Sequence, residues 1–273
     1  MAHYIVTATV LNKRRSIPAS LPDDGSIVEK VAKGFEFDGQ EVDVANVPNP
    51  SLGKWYQDAA GFFYSGSGVV PFTSAAPVTL DAAKIKAATG STLNNAQKFL
   101  PYITAACTKY HINTPIRQLC FLAQLGHESA GLFFTEELAS GRAYEGRTDL
   151  GNTHPGDGIR YKGRGLIQIT GRGNYQWLGT DFGEDFVNNP PLLGGKNIDV
   201  CSPQQLKYAA LSAGWFWNNR ALNAIADNIN IHTSIEERPN LDHFKLITRK
   251  INGGYNGLSD RVSRYKNGVA AFV

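Results

Sequence analysis

The sequence predicts two domains of different classes, a small N-terminal β-barrel followed by a larger, mainly α-helical domain. Short segments of alternating apolar and polar residues, separated by turn-forming residues, fill residues 1–72 and indicate strands. From about residue 94 onward, apolar residues recur every three or four positions, which indicates helices. With 273 residues, 42% of them hydrophobic and 19% charged, the chain can bury a full core and allows a large domain beside a small one.

In the N-terminal part, Tyr4, Val6, Ala8 and Val10 alternate with smaller or polar residues. Turn formers follow around Pro22 and Pro48, and aromatic residues suited to strands follow these turns. Several short strands separated by turns predict the small barrel. Four of the aromatic residues either fill its core or line a groove for a glycan or a peptide, and both interpretations stay open: Trp55, Tyr56, Phe62 and Phe63.

The helical part is predicted to begin after a linker over residues 73–84. Apolar spacing predicts a helix over residues 94–110. Thr114 is expected to cap a second helix whose first turn contains Pro115. This second helix is apolar on more than one side, which predicts a central position, and Gly131 is expected to end it.

Glu128 lies in the last turn of that central helix. The negative end of the helix dipole and the apolar neighbours both disfavour an ionised carboxylate at this position. A carboxyl group that stays protonated near neutral pH is what a general acid for glycoside cleavage requires. The alternative is an exposed glutamate at a helix end.

His127 and Glu128 also begin like a zinc HExxH motif. Gly131 stands where the second histidine would be, so we predict no metal site and no cofactor.

A second carboxylate is available at Glu136, Glu137 or Glu145. An inverting glycosidase holds its two carboxyl groups about 6.5–9.5 Å apart so that a water fits between them. In a continuous helix Glu137 would lie about 13 Å along the axis from Glu128, so the chain must turn after Gly131. Proximity favours Glu136 or Glu137, whereas Glu145, beside a glycine and arginines, also suits a structural ion pair.

A glycine-rich segment over residues 151–173 allows the backbone to approach a polymer closely. It contains neither a P-loop nor a dinucleotide-binding fingerprint. Within it, residues 166–170 alternate as in a short strand, which would place Gln168 and Thr170 on one face. This polar pair is suited to position a water or an N-acetyl group.

The motifs that carry a family resemblance are, in order, His127-Glu128-Ser129, the segment from Tyr144 to Asn152, Gly156-Asp157-Gly158 with the Tyr-Lys-Gly-Arg-Gly segment that starts at Tyr161, and the Ile251-Asn-Gly-Gly-Tyr segment that leads to Arg261. With these motifs the chain resembles glycoside hydrolase family 19 over residues 85–273. The bacterial and phage branch, which includes endolysins, is the most similar. The resemblance implies a lysozyme-like fold and inverting attack on β-1,4 links next to N-acetylated sugars. It assigns the general acid to Glu128 and predicts five substrate-binding residues: Tyr161, Gln168, Thr170, Asn252 and Arg261.

Three of these assignments keep alternatives. Phage relatives carry the second glutamate in a Glu-Asn-Leu segment shortly after the first, which indicates Glu137 or Glu136, whereas chitinases carry it farther away, which keeps Glu145 open. Asn252 suits a turn cap equally well. Arg261 is either a buried carboxylate partner or a surface charge.

Residues 1–72 resemble bacterial SH3-like wall-binding modules in three short segments, at residues 8–14, 31–34 and 54–61. The predicted domains are therefore an SH3-like wall-binding domain over 1–72, a linker over 73–84 and a catalytic domain over 85–273. The leading hypothesis is a bacteriolytic, peptidoglycan-degrading endolysin. A chitinase and a non-catalytic wall-binding protein are the alternatives.

Composition and the resemblance together predict the partners. A net charge of +3, spread along the chain, favours loose attraction to an anionic polymer such as a bacterial wall but is too weak to indicate nucleic-acid binding. Cys107, Cys120 and Cys201 have no short CxxC spacing and two of them sit inside apolar runs, which predicts buried free thiols. No signal peptide and no bilayer-spanning run are recognised. We therefore expect a monomer without membrane insertion, made in the cytoplasm and released to the wall by another factor, with peptidoglycan or chitin as substrate.

Overall fold

The computed structural model describes residues 1–23, 25–72 and 79–273. The described chain divides into two compact units, one of residues 1–72 with Trp217–Ala224 and one of residues 79–216 with Ile225–Val273. Residues 73–78 of the predicted linker lie outside the described chain, and residues 82–84 belong to the first helix. The predicted domain boundaries stay a prediction. None of the helices in the described ranges is both long and apolar enough to span a bilayer.

The smaller unit contains one antiparallel sheet of seven described strands in the spatial order β3-β2-β6-β5-β4-β1-β7. The strands are β1 (Ala2–Val6), β2 (Val10–Arg14), β3 (Ile27–Ala32), β4 (Glu36–Glu41), β5 (Trp55–Asp58), β6 (Phe63–Ser65) and β7 (Val69–Pro71).

The prediction of a closed, SH3-like β-barrel is wrong, because the described sheet is open. β3 pairs with β2 and β7 pairs with β1, but these two outer strands do not pair with each other. A barrel forms only when the outermost strands also pair. Alternation in the sequence predicts strands but does not determine which of them become neighbours.

Aromatic side chains form much of the core of this unit. The ring of Phe37 stacks on Tyr64 with the ring centroids 4.3 Å apart, and Tyr4 packs on Tyr56 at 4.6 Å. Trp55, Tyr56 and Phe62 are buried, which places three of the four predicted aromatic residues in the interior. Phe63 is half-buried. Asn218 belongs to the same unit, since its side-chain amide donates to the backbone oxygen of Glu36 at 3.0 Å.

The larger unit is built from helices. The described chain has α1 (Ala82–Thr89), α2 (Leu93–Lys109), α3 (Pro115–Glu128), α4 (Asp157–Arg160), α5 (Arg172–Phe182), α6 (Pro203–Asn219), α7 (Leu222–Ala226), α8 (Asn240–Asn252) and α9 (Leu258–Gly268). Of these, α6 and α7 extend into the segment that belongs to the smaller unit.

The central helix of the larger unit is α3. The Thr114 side chain accepts a hydrogen bond from the backbone of Arg117 at 3.3 Å, and Pro115 occupies the first turn, as the sequence predicts. Every residue from 117 to 126 is buried, and α1 and α9 pack against this helix. Gly126 permits α1 to approach α3 closely, because a Cβ atom on Gly126 would lie 2.5 Å from the backbone oxygen of Thr89.

We expect Gly126→Ala to destabilise the larger unit, because the added methyl group would meet rigid backbone of α1 rather than a movable side chain. Overpacking of this kind costs about 1–3 kcal/mol. Thermal unfolding followed by circular dichroism measures the loss. Gly254→Ala is the control, since a Cβ atom at that position meets nothing within 4 Å. An unchanged melting temperature for Gly126→Ala would show that the two helices are not in this close contact.

Candidate active site

The site begins where α3 ends. Ser129 follows Glu128, and its hydroxyl donates to the backbone oxygen of Leu125 at 2.6 Å and accepts from the backbone of Leu132 at 2.9 Å. Ala130, Gly131 and Leu132 then adopt left-handed backbone conformations, with φ values of 50°, 71° and 61°. The chain therefore reverses directly after Glu128, which confirms the turn that the sequence requires.

A cavity of about 400 Å³ lies next to this reversal. It brings together Glu128, two of the three candidates for the second carboxylate and the predicted polar pair. The lining residues are Glu128, Phe134, Glu136, Glu137, Leu138, Ala139, Tyr144, Gln168 and Thr170. Residues from three separate parts of the sequence thus form one cleft with carboxylates and neutral polar groups on its walls.

Glu128 is held by Arg261. One Nη atom of this buried arginine donates a hydrogen bond to Oε1 of Glu128, whose side chain is 16% exposed. In the described chain no hydrogen bond reaches Oε2. The structure thus shows Arg261 as a buried carboxylate partner, and Glu128 keeps one oxygen for a ligand in the cavity.

Neutral groups orient Glu137. The hydroxyl of Tyr144 donates to Oε1 at 3.0 Å, and the backbone amide of Gly163 donates to Oε2 at 3.1 Å. The backbone of Glu137 also donates to the oxygen of Gly163 at 2.9 Å. Burial and the hydrogen bond to Glu137 raise the pKa of Tyr144, which keeps this hydroxyl a donor at neutral pH.

The two alternative carboxylates have structural partners. Glu136 pairs with Lys162 at 2.8 Å and with Arg164 at 2.9 Å, so two cations occupy its oxygens. Glu145 is exposed and accepts from the backbone amides of Gly156 and Gly158 at 2.6 and 2.8 Å. It thereby fastens the start of α4 and does not line the cavity. Of the three candidates, Glu137 lines the cavity without a cationic partner among the described residues.

Gln168 and Thr170 reach the cavity by a different route from the predicted strand. Residues 165–168 form a tight turn closed by reciprocal backbone hydrogen bonds between Arg164 and Ile169, at 3.0 and 2.7 Å. Gln168 lies at the tip with a left-handed φ of 60°. The strand prediction is wrong, because this segment is a turn in which the consecutive residues Leu166 and Ile167 are both buried.

The structure does not place Asn252, Tyr161 or Arg261 among the residues that line the cavity. Asn252 is exposed at the end of α8, where its side chain accepts from Gly254 and donates to Asn256, both at 2.8 Å, as a turn cap does. Tyr161 is 1% exposed and packs against Tyr175. These contacts are structural.

Sequence reasoning did not select Tyr144 or Gly163. A Cβ atom on Gly163 would lie 2.6 Å from Oε1 of Gln168 and 3.3 Å from Oε2 of Glu137, so glycine is needed for both side chains to approach. Its position between two basic residues in a glycine-rich segment gave no means to distinguish it from the other glycines. Tyr144, directly before Glu145, was visible only as part of a motif.

An ion pair between the buried Asp157 and the partly exposed Arg172 fixes the glycine-rich segment. Asp157 is 1% exposed and binds the guanidinium of Arg172 through Nε at 2.9 Å and Nη2 at 2.5 Å. These hydrogen bonds lower the pKa of Asp157 to about 2. The pair joins α4 to the start of α5, on either side of the turn that carries Gln168.

Comparison with known proteins finds similar chains at the level of sequence and of fold. A glycosyl hydrolase family 19 domain-containing protein of Haemophilus influenzae is 29% identical over 199 residues, which cover 60% of this chain and 84% of that protein. An endochitinase of Arabidopsis thaliana is 36% identical over 134 residues, and acidic endochitinase Q of Nicotiana tabacum is 28% identical over 160 residues. The chain spans 38% and 57% of the lengths of these two plant relatives.

Chitinase C of Streptomyces griseus shares the fold, with a TM-score of 0.51 over 80% of this chain and 88% of that one, at 18% identity. No protein-family model matches the chain. The sequence relatives support the resemblance to glycoside hydrolase family 19. They also confirm the predicted enzyme class, a glycosidase.

We expect Asp157→Asn to lower the free energy of unfolding at pH 7 by about 1–2 kcal/mol, the usual value of a hydrogen bond to a charged group reduced for solvent screening. Since the pKa of Asp157 is lowered in the folded chain, its stabilising effect exists above its ordinary value of 3.8 and is lost as the pH falls through about 2.

The difference in melting temperature between Asp157→Asn and the unchanged protein should therefore close as the pH is lowered from 7 toward the limit of the folded state. Asp149→Asn is the control, because Asp149 pairs with Arg147 but its side chain is 61% exposed. A constant difference at every pH, or an equal loss in Asp149→Asn, would contradict this interpretation.

Proposed function

We propose that this glycosidase, whose relatives support family 19, hydrolyses β-1,4 links between N-acetylated amino sugars of peptidoglycan by an inverting acid/base mechanism. The observation that carries the proposal is the shared cavity. Glu128 and Glu137 both line it, together with Gln168 and Thr170. Inverting cleavage requires two carboxyl groups that border one cleft, one to protonate the leaving oxygen and one to activate a water.

In this proposal Glu128 is the general acid. Its Oε2, which has no hydrogen-bond partner in the described chain, would donate a proton to the departing sugar oxygen. The leaving group then departs with that proton, and the anomeric carbon carries positive charge in an oxocarbenium-like transition state.

Glu137 is the proposed general base. It would take a proton from a water on the opposite face of the sugar, and the oxygen of that water would form the new bond to the anomeric carbon. The hydrogen bonds from Tyr144 and Gly163 fix the direction of its carboxylate. Gln168 and Thr170, which line the same cavity, would hold the water or the N-acetyl group.

Chitin is the second candidate substrate, and the names of the plant endochitinases and of the Streptomyces chitinase favour it. A net charge of +3 favours the anionic bacterial wall. We propose that the unit of residues 1–72 retains the enzyme at its insoluble substrate, where it would raise the local concentration without adding chemistry.

Digestion of purified peptidoglycan and of chitin oligomers, with products identified by mass spectrometry, distinguishes these possibilities. Muropeptides with hydrated reducing ends support the proposal. Anhydro ends would exclude activation of a water, and cleavage of chitin alone would make the enzyme a chitinase. Binding without cleavage of either polymer would leave a non-catalytic wall-binding protein.

We expect Glu128→Gln and Glu137→Gln each to lower kcat by about 10²–10⁴, the usual contribution of a general acid or base. Glu145→Gln is the matched control. It removes the same charge from a glutamate that caps α4 outside the cavity, and its kcat should stay within about threefold of the unchanged enzyme. Loss of activity in Glu145→Gln with full activity in Glu137→Gln would reverse the assignment of the base.

A further inference from the structure

A chain of hydrogen bonds reaches Glu128 from the side away from solvent. Gln124 on α3 donates through Nε2 to the hydroxyl of Thr248 on α8 at 3.2 Å. Arg261 on α9 donates through Nη1 to Oε1 of Gln124 at 2.5 Å, and through Nη2 to Glu128. Three helices are thus joined through one amide and one guanidinium.

The geometry of α3 explains why one arginine can hold both side chains. Gln124 and Glu128 are four residues apart and therefore lie on the same face of the helix. Arg261 bridges that face. Since a guanidinium only donates, Gln124 must present Oε1 to it, and its Nε2 must find an acceptor elsewhere. Thr248 is that acceptor, so it fixes the orientation of the amide.

The three residues that form these hydrogen bonds are buried away from the cavity. Gln124 and Thr248 are fully buried and Arg261 is 1% exposed, and none of the three lines the cavity. A polymer in the cleft would therefore not touch them. Gln124 is also neutral, so it satisfies one donor group of Arg261 without competing for its positive charge, which remains directed at Glu128.

We propose that Gln124 and Thr248 are positioning residues for the reaction, because they hold Arg261 in the one orientation that fixes the carboxyl group of Glu128 in the cavity. The inference rests on the proposed role of Glu128 as general acid. It assigns Arg261 to the support of that acid, in place of the predicted contact with substrate.

The charged groups around Glu128 come from three parts of the chain. Arg261 of α9 contacts it directly, and Glu136 and Glu137 line the same cavity. His127 lies beside it on α3, but its Nδ1 pairs with Asp260 at 2.7 Å. A new charge at position 124 would therefore act on Glu128 mainly through the shared guanidinium.

Three variants of the full-length chain test the proposal. Gln124→Leu removes the contact to Arg261 and keeps the approximate volume. Gln118→Leu is the matched control, since it makes the same change at a buried glutamine six residues earlier on α3. Gln124→Glu keeps the shape but adds a carboxylate that competes with Glu128 for Arg261.

We expect Gln124→Leu to lower kcat about 10–100-fold with little change in KM, because misplacement of a catalytic group by about 1 Å has an effect of this size. Gln118→Leu should lose comparable melting temperature while keeping kcat within about threefold. Thr248→Val removes only the acceptor and should lower kcat less than Gln124→Leu does. It replaces Gln124→Leu in the test if Gln124→Leu does not fold. Equal kcat values for Gln124→Leu and Gln118→Leu would overturn the proposal.

The pH dependence supplies a readout that a loss of stability alone would not move. In Gln124→Glu the alkaline limb of the kcat profile, which reports the protonated general acid, should move up by about one pH unit. Carboxyl NMR of Glu128, assigned with Glu128→Gln, should show the same rise in its titration midpoint.

The NMR titration also separates the two proposals. If the unchanged protein cleaves neither polymer, the proposed function fails, yet a shifted midpoint in Gln124→Glu still supports the positional coupling. An unshifted midpoint in Gln124→Glu contradicts the coupling even when the unchanged enzyme is active.

Discussion

The reversal of the chain after Glu128 is the constraint on which the cleft depends. A non-glycine residue in a left-handed conformation costs about 1 kcal/mol or more, and Ala130 and Leu132 both adopt it on either side of Gly131. The hydroxyl of Ser129 offsets part of this cost by satisfying backbone groups on both sides of the turn. Leu132 is fully buried, which offsets more. Packing in the interior thus compensates for the backbone strain of the reversal, and the reversal brings Glu136 and Glu137 back toward Glu128.

The cleft is then completed by close approaches of backbone that only small residues allow. Gly126 lets α3 contact α1, and Gly163 lets Gln168 and Glu137 meet over the same stretch of main chain. Both glycines contribute through packing, since they determine where helix ends and turns can lie. The electrostatic part of the site follows from this packing, because Arg261 reaches Glu128 only from a helix that lies directly against α3.

Local chemistry made much of the site predictable from sequence. The cap at Thr114, the position of Glu128 in the last turn of α3 and the need for a reversal all follow from rules that act within a few residues. The open sheet was missed because alternation does not specify pairing. The turn at Gln168 was missed because alternating residues suit a strand equally well. Gln124 was hidden within an apolar run, where its contacts to Thr248 and Arg261, more than a hundred residues away in sequence, could not be foreseen.

The distinction between Glu136 and Glu137 shows how partners decide the role of adjacent, chemically identical residues. Lys162 and Arg164 neutralise Glu136, and a carboxylate bound to two cations is a weak acceptor for a proton from water. The donors to Glu137 are a hydroxyl and a backbone amide, which orient a carboxylate without bringing a full positive charge. Because the raised pKa of Tyr144 keeps its hydroxyl protonated, this orientation persists across the neutral range. The preference for Glu137 as base therefore comes from the charge of its neighbours.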